Sequence, residues 1–197
     1  MSKIVVSSMV SIDGYTEGPG GDVSQMPMDL AFAEHNADPQ VMAFFPECLD
    51  RAESDQLVER IEAHFAQYGY GWWALELKDN GAFIGYVGLQ VCDFEAPFTP
   101  AVAIGWRLGA DYWEEGYAHE AADAVLALAF EGLRLEEVVA FTVPANEHSL
   151  GLMQRLGMRR DPRDDFEHPH LPAGHPLRAH VLYRLTHKQW REGQAAA

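Results

Sequence analysis

The residues of this chain that chemistry could use first lie between a strand and a helix. The stretch Ile104-Gly-Trp-Arg-Leu-Gly-Ala-Asp-Tyr-Trp-Glu-Glu-Gly-Tyr-Ala-His-Glu-Ala (104–121) reads as a strand end, a short loop carrying Gly116, and a small-residue helix. A helix N-terminus presents free N–H groups and about half a positive charge, so such a turn can hold a pyrophosphate. Small side chains after Gly116 would let a ligand approach the backbone. Histidines supply a second candidate. His168, His170 and His175 share one loop with Asp164, Asp165 and Glu167, but their spacing does not match that of zinc ligands, and no metal is expected. Trp72, Trp73 and Trp106 are most simply core or cleft wall.

The elements that must position these residues follow from periodicity. Lys3–Ile12 alternates like a strand, with Ile4, Val6, Val10 and Ile12 on one face, and leads into a dense turn signal over 13–22. A short helix is expected from near Asp29 to His35. A longer one carries the stripe Leu57, Val58, Ile61 and Phe65 and stops at Gly69. Strands over Trp72–Leu77 and Ala82–Gln90 flank the turn Asp79-Asn80-Gly81. A third strand, Ala101–Leu108, follows a proline-bounded loop. The helix beyond Gly116 repeats Ala118, Ala121, Ala122, Val125, Leu128 and Ala129 on one face. A strand over Glu137–Val143, a helix over Glu147–Leu156 stopped by Gly157, a loop over 161–178 and a strand over His180–Leu185 complete the pattern. This order reads as an α/β fold with a mixed sheet.

Composition removes several classes of function. Of 197 residues, 48% are hydrophobic and 22 are aromatic, enough for one core. No apolar run reaches the roughly 20 residues of a membrane helix, and the start lacks a signal-peptide pattern. Cys48 and Cys92 are expected as free thiols, and a cytoplasmic location is expected. The net charge is −16, and residues 27–150 hold 22 acidic residues against 5 basic ones. Such a body repels a phosphate backbone, which argues against nucleic acid, and attracts a basic acceptor.

Two ordered motifs carry a family resemblance. Trp113-x-x-Gly116-x-Ala118 resembles the (Arg/Gln)-x-x-Gly-x-(Gly/Ala) motif of the GNAT superfamily of N-acetyltransferases. Its surroundings are similar to the Tyr-Trp-x-x-Gly-Tyr-Ala-x-Glu-Ala version of the RimJ/RimL-type branch. Residues 141–158, with Asn146, Ser149 and Leu156-Gly157-Met158, resemble that branch's second signature, and 36–42 resemble its early helix region. The resemblance runs over about 29–190 and implies a single GNAT-like domain. Its mostly antiparallel central sheet would be splayed at the cofactor site and carry helices on both faces. It implies acetyl-CoA as co-substrate and direct attack by a primary amine, on a small molecule or a peptide N-terminus. Trp106 and Leu108 would offer backbone groups to pantetheine, and Glu115, Gly116, Tyr117 and Ala118 N–H groups to pyrophosphate. Asn146 would orient the cofactor arm, and Ser149 would sit near the sulfur. Ser149 is then the candidate proton donor to the leaving thiolate, since Met153 stands where some relatives have a tyrosine. A homodimer is compatible with the family.

Departures from the family pattern qualify this picture. Glu114 and Glu115 occupy loop positions that are usually small, polar or basic. A carboxylate about 8 Å from a phosphate costs on the order of 0.5–1 kcal/mol at high effective dielectric. Ala103 stands where the branch often has a glutamate directed into the acceptor site. Residues 3–22 resemble instead the opening of dihydrofolate-reductase-like domains of the riboflavin-biosynthesis type, and are expected to fill the first-strand slot of the acetyltransferase sheet. The expected organisation is an atypical N-terminal strand and turn over 1–28, an acetyltransferase domain over 29–190 and a tail over 191–197. The second reading is a catalytically weak GNAT-like protein that binds acyl-CoA or a partner.

Overall fold

The structure, a computed structural model, describes residues 3–8 and 27–195. Among them are eight strands and five α-helices, in an α/β arrangement whose mixed sheet has the strand order β1-β2-β3-β4-β5-β8-β6, with β7 paired to β8. The chain divides into two compact units, Met1–Gly88 with Trp106–Ala121, and Leu89–Gly105 with Ala122–Ala197.

In the first unit β1 (Ile4–Ser8) pairs antiparallel with β2 (Trp72–Leu77), which pairs antiparallel with β3 (Phe83–Val91). The alternation expected beyond Ser8 and the turn over 13–22 lie outside the described residues. The tight turn between β2 and β3 closes as its sequence requires: Asn80 Oδ1 accepts from the Ala82 N–H at 3.0 Å, and the Leu77 N–H reaches the Ala82 carbonyl at 2.9 Å. β3 is buried from Phe83 to Leu89, which fits its unbroken apolar run.

Helix α1 spans Pro27–Ala37 and α2 spans Arg51–Tyr68. Asp50 and Glu53 form a reciprocal capping box at the start of α2, and Gly69 ends it in the left-handed region at φ 76°. Ile61, from the expected stripe, is buried with Phe32, Ala74, Phe83 and Tyr86, and Leu57, Val58 and Phe65 pack against that cluster.

In the second unit β5 (Glu137–Thr142) pairs antiparallel with β8 (Ala179–Thr186), and short β6 (Arg159–Arg160) and β7 (Phe166–Glu167) add to β8. Ala103 of β4 (Val102–Leu108) pairs parallel with Val139. Arg184 fastens this unit, with Nη1 on Glu137 Oε1 at 2.7 Å and Nε on Asp164 Oδ2 at 2.7 Å.

The helix after Gly116, α3, spans Tyr117–Ala127 and then widens into a π turn over Leu128–Gly132, where the Leu133 N–H bonds to the Leu128 carbonyl at 2.9 Å. The buried stripe is Ala121, Ala122, Val125, Leu126, Ala129 and Phe130, at helical spacing, and Leu128, expected on it, lies beside it at 39% exposure. Helix α4 spans Glu147–Arg155. A last helix, α5 (His187–Gln194), has no counterpart among the expected elements and crosses the expected domain end at residue 190. Its signal is a capping box, Thr186 with Gln189, and Trp190 packs on Phe130 at 5.4 Å between ring centroids.

Candidate active site

In the first unit β4 delivers the chain to the glycine loop. The Gly109 N–H bonds to the Ile84 carbonyl at 3.0 Å, and the Trp113 indole donates to the Leu108 carbonyl at 2.9 Å. That indole bond folds the loop back on the strand end and uses one of the two lone pairs of the Leu108 oxygen. Glu114 takes φ 64° and Gly116 φ 87°, both left-handed, so the backbone reverses tightly before α3. Among the described residues, no heavy atom beyond its chain neighbours lies within 4 Å of where a Cβ on Gly116 would stand. The first intrahelical bond runs from the Glu120 N–H to the Gly116 carbonyl at 3.1 Å. The N–H groups of Tyr117, Ala118 and His119 precede it in the helix and have no intrahelical acceptor. A diphosphate fits this cradle of oriented N–H groups. Glu114 and Glu115 are exposed. The Glu120 carboxylate, one turn into α3, takes hydrogen bonds from the N–H groups of Lys3 (3.0 Å) and Ile4 (3.3 Å), tying β1 to this helix.

In the second unit Asn146 caps α4. Its Oδ1 accepts the Ser149 N–H at 3.2 Å, and its Nδ2 donates to Thr142 Oγ1 at 3.1 Å. The amide is thus held from both ends, and its geometry is that of a helix N-cap. The Asn146–Ser149 pair singled out in the sequence is joined through the Ser149 backbone N–H.

Ala103 packs, partly buried, against a cluster of Phe98, Val139 and Leu182. Around it stands an aromatic set the sequence did not reveal: Phe94 lies 4.8 Å from His168, 5.9 Å from Phe141 and 6.1 Å from Phe166, between ring centroids, and His168 lies 5.1 Å from His180. Burial, followed by the neighbouring His180 and His170, pushes His168 down to about 4. Burial also lowers His180, whose Nδ1–H donates to the Arg178 carbonyl at 3.0 Å. Both rings are neutral at pH 7. His168 and His180 are therefore partly buried members of the aromatic packing. Among the described residues no three His, Cys, Asp or Glu side chains converge on a common metal position. Cys92 remains a thiol, because burial and then Asp93 push it up to about 11, so it is a poor nucleophile. Cys48 is exposed, and neither cysteine is bonded to another.

The order of elements, the glycine loop opening α3 and the capped α4 define an acyltransferase-type α/β fold. A family model described as acetyltransferase (GNAT) domain matches residues 26–159, and the chain belongs to that family. A curated relative, the uncharacterized N-acetyltransferase YnaD of Bacillus subtilis (strain 168), is 26% identical over 161 residues, covering 81% of this chain and 88% of its own. The solved acetyltransferase (GNAT family) from Bacillus anthracis superposes with a TM-score of 0.71 at 19% identity, over 95% of this chain and 96% of that one. Spermidine N-acetyltransferase from Vibrio cholerae, solved in complex with CoA and spermine, gives a TM-score of 0.68 at 14% identity, over 97% and 99%. The relatives are acetyltransferases, and the reductase resemblance of residues 3–22 finds no support among them.

Proposed function

We propose that this protein is an acetyl-CoA-dependent N-acetyltransferase of the RimJ/RimL-type branch, with a primary amine as acceptor. The observation that carries the reading is the left-handed Glu114–Gly116 loop running straight into α3. Its N–H groups at Glu115, Gly116, Tyr117 and Ala118 would take the pyrophosphate, and the backbone of Trp106 and Leu108 the pantetheine arm. Bound acetyl-CoA supplies an activated acyl carbon and a thiolate leaving group. Asn146 holds the start of α4, and Ser149 is the group we assign to protonate the departing sulfur. The acceptor amine must lose a proton before or during attack, and Ala103 offers no base for it.

The family membership and the CoA-bound neighbour support this reading. A small amine and a peptide N-terminus are both admitted as acceptors, and the acidic charge of residues 27–150 favours a cationic one. Glu114 and Glu115 beside the phosphate position, with Ala103 in place of a carboxylate, favour a second reading, a weakly catalytic acyl-CoA-binding protein.

Acetyl-CoA at about 100 times its Kd should stabilise the fold by roughly 2.7 kcal/mol, about 5–10 °C in Tm, and NADPH should not. Gly116→Val should abolish most of that increment, since a branched side chain would stand over the loop. The increment is the readout because φ 87° strains valine and lowers Tm by itself. A flat response of the wild type to millimolar acetyl-CoA rejects both readings. Binding without thiol release across a panel of amines selects the second.

A further inference from the structure

Arg107 is one of only five basic residues in the acidic stretch 27–150, yet it takes no carboxylate among the described residues. Its Nη1 donates to Asn36 Oδ1 at 2.6 Å, and Tyr86 donates its hydroxyl to the same oxygen at 3.2 Å. Asn36 is fully buried and donates through Nδ2 to Ser54 Oγ at 3.2 Å. The guanidinium carbon sits 4.0 Å from the Phe45 ring centroid and 5.2 Å from that of Tyr86. Tyr86 is no hidden counter-ion, because burial pushes it up to about 12 against the opposing pull of Arg107. The plane of the guanidinium is thus fixed by two rings and one amide, all from neutral groups.

On the other edge, Arg107 Nε is buried and has no hydrogen-bond partner among the described residues. The Nε–Nη2 edge is the side-on fork of arginine, and this chain shows what that edge selects. Arg160 grips both carboxylate oxygens of Asp165 through Nε and Nη2, and Arg163 grips those of Asp161 in the same way. A buried donor without a partner costs free energy that a ligand acceptor recovers.

We infer that the Nε–Nη2 edge of Arg107 is a recognition site for a carboxylate, and that the acceptor of this enzyme is an amine that also carries one. Arg107 lies on β4 between Trp106 and Leu108, whose backbone groups the resemblance gives to the pantetheine arm. The inference rests on the acetyltransferase reading given above. A free anion would be disfavoured by the acidic body, whereas a zwitterion carries no net charge to repel. The ligand class is therefore an amino acid or a short peptide with a free carboxylate, bound with guanidinium and carboxylate coplanar.

The test compares α- and ω-amino acids of increasing length with their amides, by thiol release from acetyl-CoA with the full chain. At least one acid should exceed its amide by roughly 10–100-fold in kcat/KM, the range of a charge-assisted bidentate pair. Arg107→Lys keeps the charge but not the fork, and Arg107→Met keeps the packing stem alone. Both should collapse the acid-to-amide ratio toward one, a readout that a purely structural arginine would not move. Wild-type selectivity decides the matter even if a variant fails to fold. Turnover with equal use of acids and amides overturns the carboxylate site and leaves the acetyltransferase reading standing. Absence of thiol release with every amine, acid or amide, overturns the reading itself and the inference with it.

Discussion

Ser149 and Asn146 show how one side chain can carry two readings until geometry separates them. The α4 cap runs from Asn146 Oδ1 to the backbone N–H of Ser149, so the serine hydroxyl can be removed without uncapping the helix. Ser149→Ala keeps the Asn146 cap bond to the backbone N–H. If the hydroxyl protonates the leaving thiolate, the same change should lower kcat more than it raises KM for acetyl-CoA. A general acid contributes typically ~10²–10⁴-fold, and thiolates leave fairly well unaided, so about 10²-fold is expected. Unchanged kcat where chemistry limits turnover would return Ser149 to an ordinary first-turn residue. Asn146 and Ser149 were both legible as a motif. What the motif did not reveal is that Thr142 Oγ1 takes the amide's other end, a contact that depends on where β5 stops.

At the scale of elements the sequence spoke clearly wherever a local rule was enough. The span of β2 agrees with its expected limits, and α2 ends at Gly69 as expected. Local rules fail where packing decides. The π turn after α3 depends on tertiary fit, and α5 is a two-turn helix whose stability comes from Trp190 against Phe130 rather than from propensity. The neutral His168–His180 pair was hidden for the same reason, because burial sets imidazole charge and a single sequence does not print burial. Arg107 left only a faint signal, a lone cation on a strand in an acidic stretch. Gly85 is another case. It lies in β3 at φ 140°, and a Cβ there would stand 2.2 Å from the Arg107 carbonyl oxygen. Backbone cannot retreat as a flexible side chain can, so Gly85→Ala should cost on the order of 3 kcal/mol or more. For a domain of this size that is about 6–12 °C in Tm. A Tm within 2 °C of the wild type would show that β3 and β4 can part at this point without penalty, contrary to the close approach described.

For the whole molecule, acid stability should be lost in two separate windows. Asp161 is held down to about 2 by Arg163, and Asp165 is lowered by Arg160, so their contributions are complete above the ordinary carboxylate range and vanish only as pH falls below it. His168 acts earlier. Its folded value of about 4 lies below its ordinary 6.5, so between these values the unfolded chain binds a proton that the folded chain refuses. Stability therefore falls as pH drops from about 6.5 to about 4, and this contribution is fully present only above the upper limit. The groups around the ring are His180 on β8, His170 in its own loop, and Asp93 before Phe94. The two histidines oppose its protonation and Asp93 favours it, with burial the larger effect. A fully buried group with such a shift would be worth about 3 kcal/mol, but this ring is only partly covered, and solvent screening reduces the figure to about 1 kcal/mol, or 2–4 °C. Changes in net charge from −16 toward zero also shift Tm over this range, so the wild type alone does not isolate the ring. His168→Gln does, because both chains share every other titration. The Tm advantage of wild type over His168→Gln should shrink by about 2–4 °C between pH 7 and pH 4, then level off. A constant difference across that range would mean that the imidazole is already solvated in the fold, and that the aromatic set around Phe94 and Phe166 does not exclude water from it.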